Sequence, residues 1–159
     1  DIPNTVRSAI KSLKDLKISY LTVHLSSGLS ALKAIKKESK NIKIAGVTTL
    51  TSLNNKDLKE IGFSKKVNEL VKHQAKLARK AELDAIVCSG HEIRSVKNVF
   101  NKEIITPGIK IENIKNDQKR IMKPKDAFAS GSDWLVIGRS ITKGNIKKNI
   151  QNLLEILED

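Results

Sequence analysis

Three features of the sequence predict an α/β fold built on a mostly parallel sheet. Apolar spacing switches repeatedly between helical and strand-like periods, five short apolar runs end in small or hydroxylated residues, and no linker or low-complexity tract interrupts the chain. Residues 1–159 are therefore expected to form a single domain. Val6, Ala9, Ile10 and Leu13 share a helical stripe, with Pro3 suited to a first turn because that position needs no backbone N–H. "YLTVH" (Tyr20 to His24) reads as a short strand. Leu29, Leu32 and Ile35 mark a second helix ahead of the strand "IKIAGVT" (Ile42 to Thr48), and Val67, Leu70, Val71, Ala78 and Ala81 mark a third ahead of "DAIVCS" (Asp84 to Ser89). A weaker helix over 91–99 precedes "EIITP" (Glu103 to Pro107). Pro124 opens a short helix that leads to "DWLVIG" (Asp133 to Gly138), and Ile146, Ile150, Leu153, Leu154 and Leu157 form a final amphipathic helix.

Five strands each followed by a helix, with one more helix in front, are too few for a (β/α)8 barrel, which has eight strands and typically about 250 residues. An open doubly wound sheet is the alternative, but its glycine-rich phosphate turn, GxGxxG, is missing. The expected fold is an incomplete TIM (β/α)8 barrel of the phosphate-binding type, with about five strands present and the first strands missing.

Composition narrows the function. The single cysteine, Cys88, cannot form an internal disulfide, and no leader or apolar run of membrane-spanning length is visible, so a cytoplasmic protein is expected. The net charge of +13, from 30 Lys and Arg against 17 Asp and Glu, suggests polyanions. Its distribution argues against them: the lysines are scattered over helices, and aromatics make up only 3% of residues, too few for base-stacking platforms.

In a barrel the chemistry gathers at the C-terminal ends of the strands. Those positions read "HLSSG" (24–28), "TTLTS" (48–52), "CSGHE" (88–92), "TPGIK" (106–110) and "GRSIT" (138–142). Glycine lets backbone N–H groups approach a ligand, hydroxyls donate, and a guanidinium grips two oxygens, so a phosphorylated small molecule is the expected ligand.

These segments, with "DIPNT", "TTLTSLNNKDLKEIG", "LDAIVCSGHE", "NDQKRIMKP" and "SGSDWLVIGRSIT" in the same order, resemble orotidine 5'-phosphate decarboxylase of the bacterial type over the whole length. The resemblance implies a dimerising barrel with no metal or organic cofactor that converts orotidine 5'-monophosphate to uridine 5'-monophosphate and carbon dioxide, a step of pyrimidine biosynthesis. The family's signature, D-x-K-x-x-D-I-x-x-T, is matched only in its second half, by Asp1 as the catalytic carboxylate with Ile2 and Thr5. The first Asp and the proton-donating Lys would lie before residue 1. In family dimers the second Asp and the Thr reach into the neighbour's site. By the same resemblance Thr51 contacts the pyrimidine, Gln118 lies in a loop that closes over phosphate and base, and Gly138 with Arg139 holds the phosphate. One departure stands out: the family's "TPGIR" arginine is Lys110 here, which keeps the charge and loses the bidentate fork.

Plainer readings stand beside these. Asp1 could cap the helix beginning near Pro3. His24 is read as a satisfied core or interface histidine, and Cys88 as inert packing. Ser89, Gly90 and His91 are adjacent in sequence and cannot form a catalytic triad. Loss of a general acid alone costs about 10²- to 10⁴-fold, so the chain by itself is expected to have little or no activity. A homo-oligomer or a separately made N-terminal half is the expected partner. The competing class is a non-catalytic nucleotide-phosphate-binding or assembly remnant.

Overall fold

The computed structural model of the protein describes residues 2–111 and 121–158. Five parallel strands lie in the order β1 (Tyr20–His24), β2 (Lys43–Val47), β3 (Ala85–Val87), β4 (Glu103–Thr106) and β5 (Trp134–Leu135). Spatial order equals chain order, so every connection is a step to the neighbouring strand, the progression of a barrel rather than of a doubly wound sheet.

Helices supply the crossovers. α1 (Pro3–Ser12) starts with Pro inside its first turn and packs on α2 (Gly28–Glu38), which buries Ala31, Leu32 and Ile35. Ile2 occupies the N-cap of α1; Asp1, the residue expected there, lies outside the described residues. α3 (Asn55–Glu60) and α4 (Val67–Lys80) connect β2 to β3, and α5 (Ile93–Lys97) connects β3 to β4. α6 (Pro124–Ser130), ended by Gly131 in a left-handed conformation (φ 104°), leads to β5. α7 (Arg139–Thr142) and α8 (Ile146–Glu158) follow. The helix expected over 91–99 is a 3₁₀ turn at Gly90–Glu92 running into α5, and the expected last strand contracts to two residues.

Side chains alternate across each strand. On the helix-covered face Ile44, Ile86 and Ile104 are fully buried, and they join Leu32, Leu58, Val71, Leu83, Ile93 and Phe100 in one core. At Gly46 a Cβ would lie 2.6 Å from Leu25 Cδ2 and 2.9 Å from Leu83 Cδ1, so glycine lets these two leucines reach the strand. Opposite lies a concave face carrying Ala45, Val47, Ala85, Val87, Ile105, Trp134 and Val136.

Two aspartates tie the N-terminal ends of the strands together by one device. Just before β3, Asp84 accepts the N–H of Ile44 at 2.8 Å and takes Lys36 Nζ at 2.6 and 2.7 Å on its two oxygens. Just before β5, Asp133 accepts the N–H of Ile104 at 2.7 Å. Burial would push the Asp84 carboxyl up, but the Lys36 ammonium and the Ile44 N–H outweigh it and hold the group below the usual carboxylate range.

Four first-position side chains meet on the concave face at the same end. Glu103 accepts from Lys43, from the Tyr20 hydroxyl and, at 3.0 Å, from Trp134 Nε1. Lys43 and Tyr20 together hold the Glu103 carboxyl low, and Glu103 first, then Tyr20, push the Lys43 ammonium up. The rings of Tyr20 and Trp134 meet edge to face with centroids 6.3 Å apart. They stand on the two outermost strands, whose separation in a flat sheet is roughly 19 Å over four strand spacings. The sheet is therefore strongly curled: it is an arc of a barrel.

Candidate active site

All five strands end on one rim. A helix that feeds a parallel strand runs antiparallel to it, so the first turn of α1, with Ile2 and Thr5, also lies level with that rim. Ile2 and Thr5 are both exposed there.

Buried hydrogen bonds fix the loop after β2. Thr48 donates through Oγ1 to Val87 O at 2.8 Å. Thr49 donates its N–H and its hydroxyl to Gln74 Oε1, at 2.9 and 3.2 Å, with both residues buried. Beyond this anchor a tight turn, closed by Leu53 N–H on Leu50 O at 3.0 Å, carries the half-buried Thr51. Gln74 sits within the apolar stripe of α4, where sequence reasoning passed over it. A polar residue amid Leu70, Val71, Ala75 and Ala78 was the available signal.

The loop after β4 is pinned at both ends. Ile109 pairs with Met122, Lys110 N–H donates to Met122 O and Met122 N–H to Gly108 O, each at 3.1 Å. Met122 in turn lies over Gly90, where a Cβ would come within 2.5 Å of its sulfur. Lys110 is buried, and together with His91, Met122, Lys123 and Asp126 it lines a cavity of about 260 Å³. Gln118 belongs to residues 112–120, outside the described residues.

After β5, Gly138 precedes α7 with φ −90° and ψ −105°, and its carbonyl accepts the N–H groups of Ile141 and Thr142 at 2.9 and 3.1 Å. Arg139, exposed, is the first residue of that helix. Thr106 differs from the other strand-end hydroxyls. It is fully buried against Ser132 Oγ at 2.6 Å, on the face turned away from the concave side.

Thr51, Lys110, Gly138 and Arg139 thus stand on the loops after β2, β4 and β5, on one rim with Ile2 and Thr5. His24, expected in a core or an interface, is exposed at the end of β1, and its carbonyl accepts Ser27 Oγ at 2.6 Å. Cys88 is buried, as expected of a packing residue. Among the described residues no group of three or more His, Cys, Asp or Glu side chains is placed to hold a metal, and no helix is long and apolar enough to cross a membrane.

Comparison with known proteins gives one answer. Residues 1–150 match the model of the Orotidine 5'-phosphate decarboxylase / HUMPS family. Orotidine 5'-phosphate decarboxylase of Wolbachia pipientis is 42% identical over 164 aligned positions, which take in 100% of this chain and 73% of the relative. The enzyme of that name from Ehrlichia canis is 45% identical, with 89% of this chain and 64% of the relative covered. The crystal structure of orotidine 5'-phosphate decarboxylase from Lactobacillus acidophilus superimposes with a TM-score of 0.83 at 29% identity, covering 100% of this chain and 72% of that one. The fold of the Methanocaldococcus jannaschii enzyme, solved with the inhibitor BMP, matches with a TM-score of 0.76 at 22% identity. The arc of strands is accordingly part of a TIM barrel, and with its rim motifs in family order and its identity to these enzymes, the chain belongs to the orotidine 5'-phosphate decarboxylase family.

Proposed function

We propose that this chain forms the phosphate- and base-binding side of an orotidine 5'-phosphate decarboxylase, acting on orotidine 5'-monophosphate to give uridine 5'-monophosphate and carbon dioxide once the barrel is complete. The observation that carries this reading is the rim itself: Thr51, Lys110, Gly138 and Arg139 are presented by the ends of β2, β4 and β5 on one rim of a curled parallel sheet.

Each residue has a task that its chemistry permits. The Arg139 guanidinium is a planar fork suited to two phosphate oxygens, and Gly138 lets the phosphate approach the backbone beside it. Lys110 adds a second positive charge as a point donor. Thr51 offers a hydroxyl that can donate to a pyrimidine carbonyl or accept from its N–H. Gln118, outside the described residues, would bridge phosphate and base through its amide. At the reacting carbon the bond to the carboxylate breaks, carbon dioxide leaves, and the carbanion left at C6 takes a proton. The Asp1 carboxylate, outside the described residues, would act in the neighbouring subunit's site, where its repulsion toward the departing carboxylate would be relieved as carbon dioxide forms. The proton needs an ammonium donor on a neighbouring strand end of the completed barrel.

The open concave face supports a second reading, in which this chain alone binds nucleotide or assembles with a partner without turnover. One set of measurements separates the two. Residues 1–159 joined to the part of the Wolbachia pipientis relative outside the match should release carbon dioxide from orotidine 5'-monophosphate. Arg139→Ala should weaken uridine 5'-monophosphate binding by about 10- to 100-fold, the worth of a charge-assisted hydrogen-bond pair. Tight nucleotide binding with no carbon dioxide release by the joined protein would leave only the second reading, and an unchanged affinity for Arg139→Ala would remove the phosphate assignment.

A further inference from the structure

The lysines behind the net charge of +13 are scattered along the chain, but scatter along the chain is not scatter in space. In this topology a helix that feeds a strand runs antiparallel to it, so helix C-termini and the loops beyond them collect at the N-terminal ends of the strands, opposite the rim. α1 delivers Lys11 there, with Lys14 and Lys17 in the loop that follows. α2 delivers Lys36 and Lys37, with Lys40 just beyond, and α4 delivers Arg79 and Lys80. Among the described residues three ion pairs form at this end: Lys14 with Glu38 at 3.1 Å, Lys36 with Asp84, and Lys43 with Glu103. Lys17, Lys33, Lys37, Lys40 and Lys80 stay outside these pairs, and all five are exposed.

Two clefts open among these cations. α2 lies between α1 and α4, and each of its flanks borders one cleft. The cleft on the α1 side, about 580 Å³, has an apolar floor of Ile10 and Ile42, which are 3% and 8% exposed, and Lys14, Lys17 and Lys40 also line it. The cleft on the α4 side, about 460 Å³, is lined by Lys33, Lys36, Lys37 and Lys80, with Glu82 as its acidic member. Cations in a last helical turn complement the helix dipole, which accounts for Lys36, Lys37, Arg79 and Lys80. It accounts neither for Lys17 and Lys40, which lie beyond the helices, nor for an apolar floor open among them.

We propose that this end of the sheet is a docking surface for an acidic segment of a partner protein. One apolar side chain of the segment seats on Ile10 and Ile42, and its carboxylates lie along Lys17, Lys40, Lys37 and Lys80. Charge complementarity selects the occupant, and the shape of the surface narrows it. A bilayer takes up apolar groups that protrude, whereas Ile10 and Ile42 are recessed. A nucleic-acid strand is held by ring faces on which bases stack, and among the described residues no Phe, Tyr or Trp lines either cleft. The surface lies at the opposite end from Thr51, Lys110 and Arg139, so the proposal is independent of the decarboxylation reading.

The probe is a fluorescein-labelled peptide of about twelve residues, glutamate throughout but for one central leucine. Extended, it spans roughly 40 Å, enough to cross α2, a helix about 10 Å wide. Fluorescence anisotropy is read at about 0.15 M salt, where attraction beyond roughly 8 Å is screened. The expected result is saturable one-to-one binding that weakens about tenfold or more when the leucine is replaced by glutamate. Lys17→Glu combined with Lys40→Glu should weaken it by about tenfold or more, with circular dichroism and uridine 5'-monophosphate binding unchanged. Lys147→Glu combined with Lys148→Glu makes the same change of charge on α8, outside both clefts, and should alter the affinity by about twofold or less. No binding of the peptide overturns the proposal. Equal binding of the leucine-free peptide overturns the apolar seat, and an equal loss from the α8 pair reduces the effect to net charge and overturns the site. Tighter binding of a twelve-nucleotide oligouridylate, lost with the Lys17 and Lys40 changes, makes a nucleic acid the occupant and overturns the choice of an acidic protein segment.

Discussion

Replacing Gln74 by Met tests how the rim is held. In the native protein Gln74 Oε1 accepts two bonds from Thr49, one from the backbone N–H at 2.9 Å and one from the hydroxyl at 3.2 Å, with both residues 7% exposed. Methionine keeps the volume and the helix propensity of α4 but removes the acceptor. The N–H that loses this acceptor bears a desolvation penalty of about 1–3 kcal/mol, and the hydroxyl, free to rotate, adds about 1 kcal/mol or less, so a loss of about 1–4 kcal/mol is expected. Urea unfolding followed by circular dichroism reads this as a fall of about 0.5–2 M in the midpoint, given a slope of roughly 2 kcal/mol per molar. A double-mutant cycle with Thr49→Val isolates the hydroxyl: Gln74→Met should cost about 0.5–1 kcal/mol less in that background. A midpoint within about 0.3 M of the parent for Gln74→Met would refute the claim that this amide anchors the loop bearing Thr51.

Two further substitutions probe the frame. Asp84 has a depressed folded-state pKa, so its stabilisation is present above the unfolded carboxyl value and fades as pH falls through the lower folded value. Asp84→Asn should lower stability at neutral pH by about 1–2 kcal/mol, allowing for a partly solvated ion pair, and should flatten the acid limb of a stability-versus-pH curve. Gly46→Ala forces a methyl group against the buried Leu25 and Leu83, and calorimetry should show a loss of about 1–3 kcal/mol, recovered in part by Leu25→Val.

Long periodic segments were legible from sequence because burial imposed their pattern. The stripe of Val67, Leu70, Val71 and Ala78 became α4, and the apolar run after Asp84 became β3, since each packs into the main core. α3 escaped notice because only Leu58 among its six residues is buried, although Asn54 and Asp57 form a capping box whose spacing could have been read. Asp133 to Gly138 reads as a full strand, yet only Trp134 and Leu135 pair. Propensity marks residues suited to a strand, and the ladder also needs a neighbour, which among the described residues β5 has on one side only.

The same division holds at the site. Strand-end positions such as Thr51 and Gly138 followed from topology, because parallel strands must end together. Side-chain orientation did not follow: Thr106 shares the hydroxyl of its rim neighbours but falls on the core face, and the alternation that decides this depends on a register that sequence leaves open. The role of Gln74 was hidden for a related reason: its place in the apolar stripe of α4 was readable, but helical periodicity sorts residues by face and says nothing of which backbone group a buried amide will meet.

The ring contact between Tyr20 and Trp134 bears on the stiffness of the sheet. Two aromatic rings and the Glu103 carboxylate set the chord between the outermost strands at their N-terminal ends, so the arc is braced from its hollow side as well as by the helices behind it, and the spacing of the rim loops inherits that curvature.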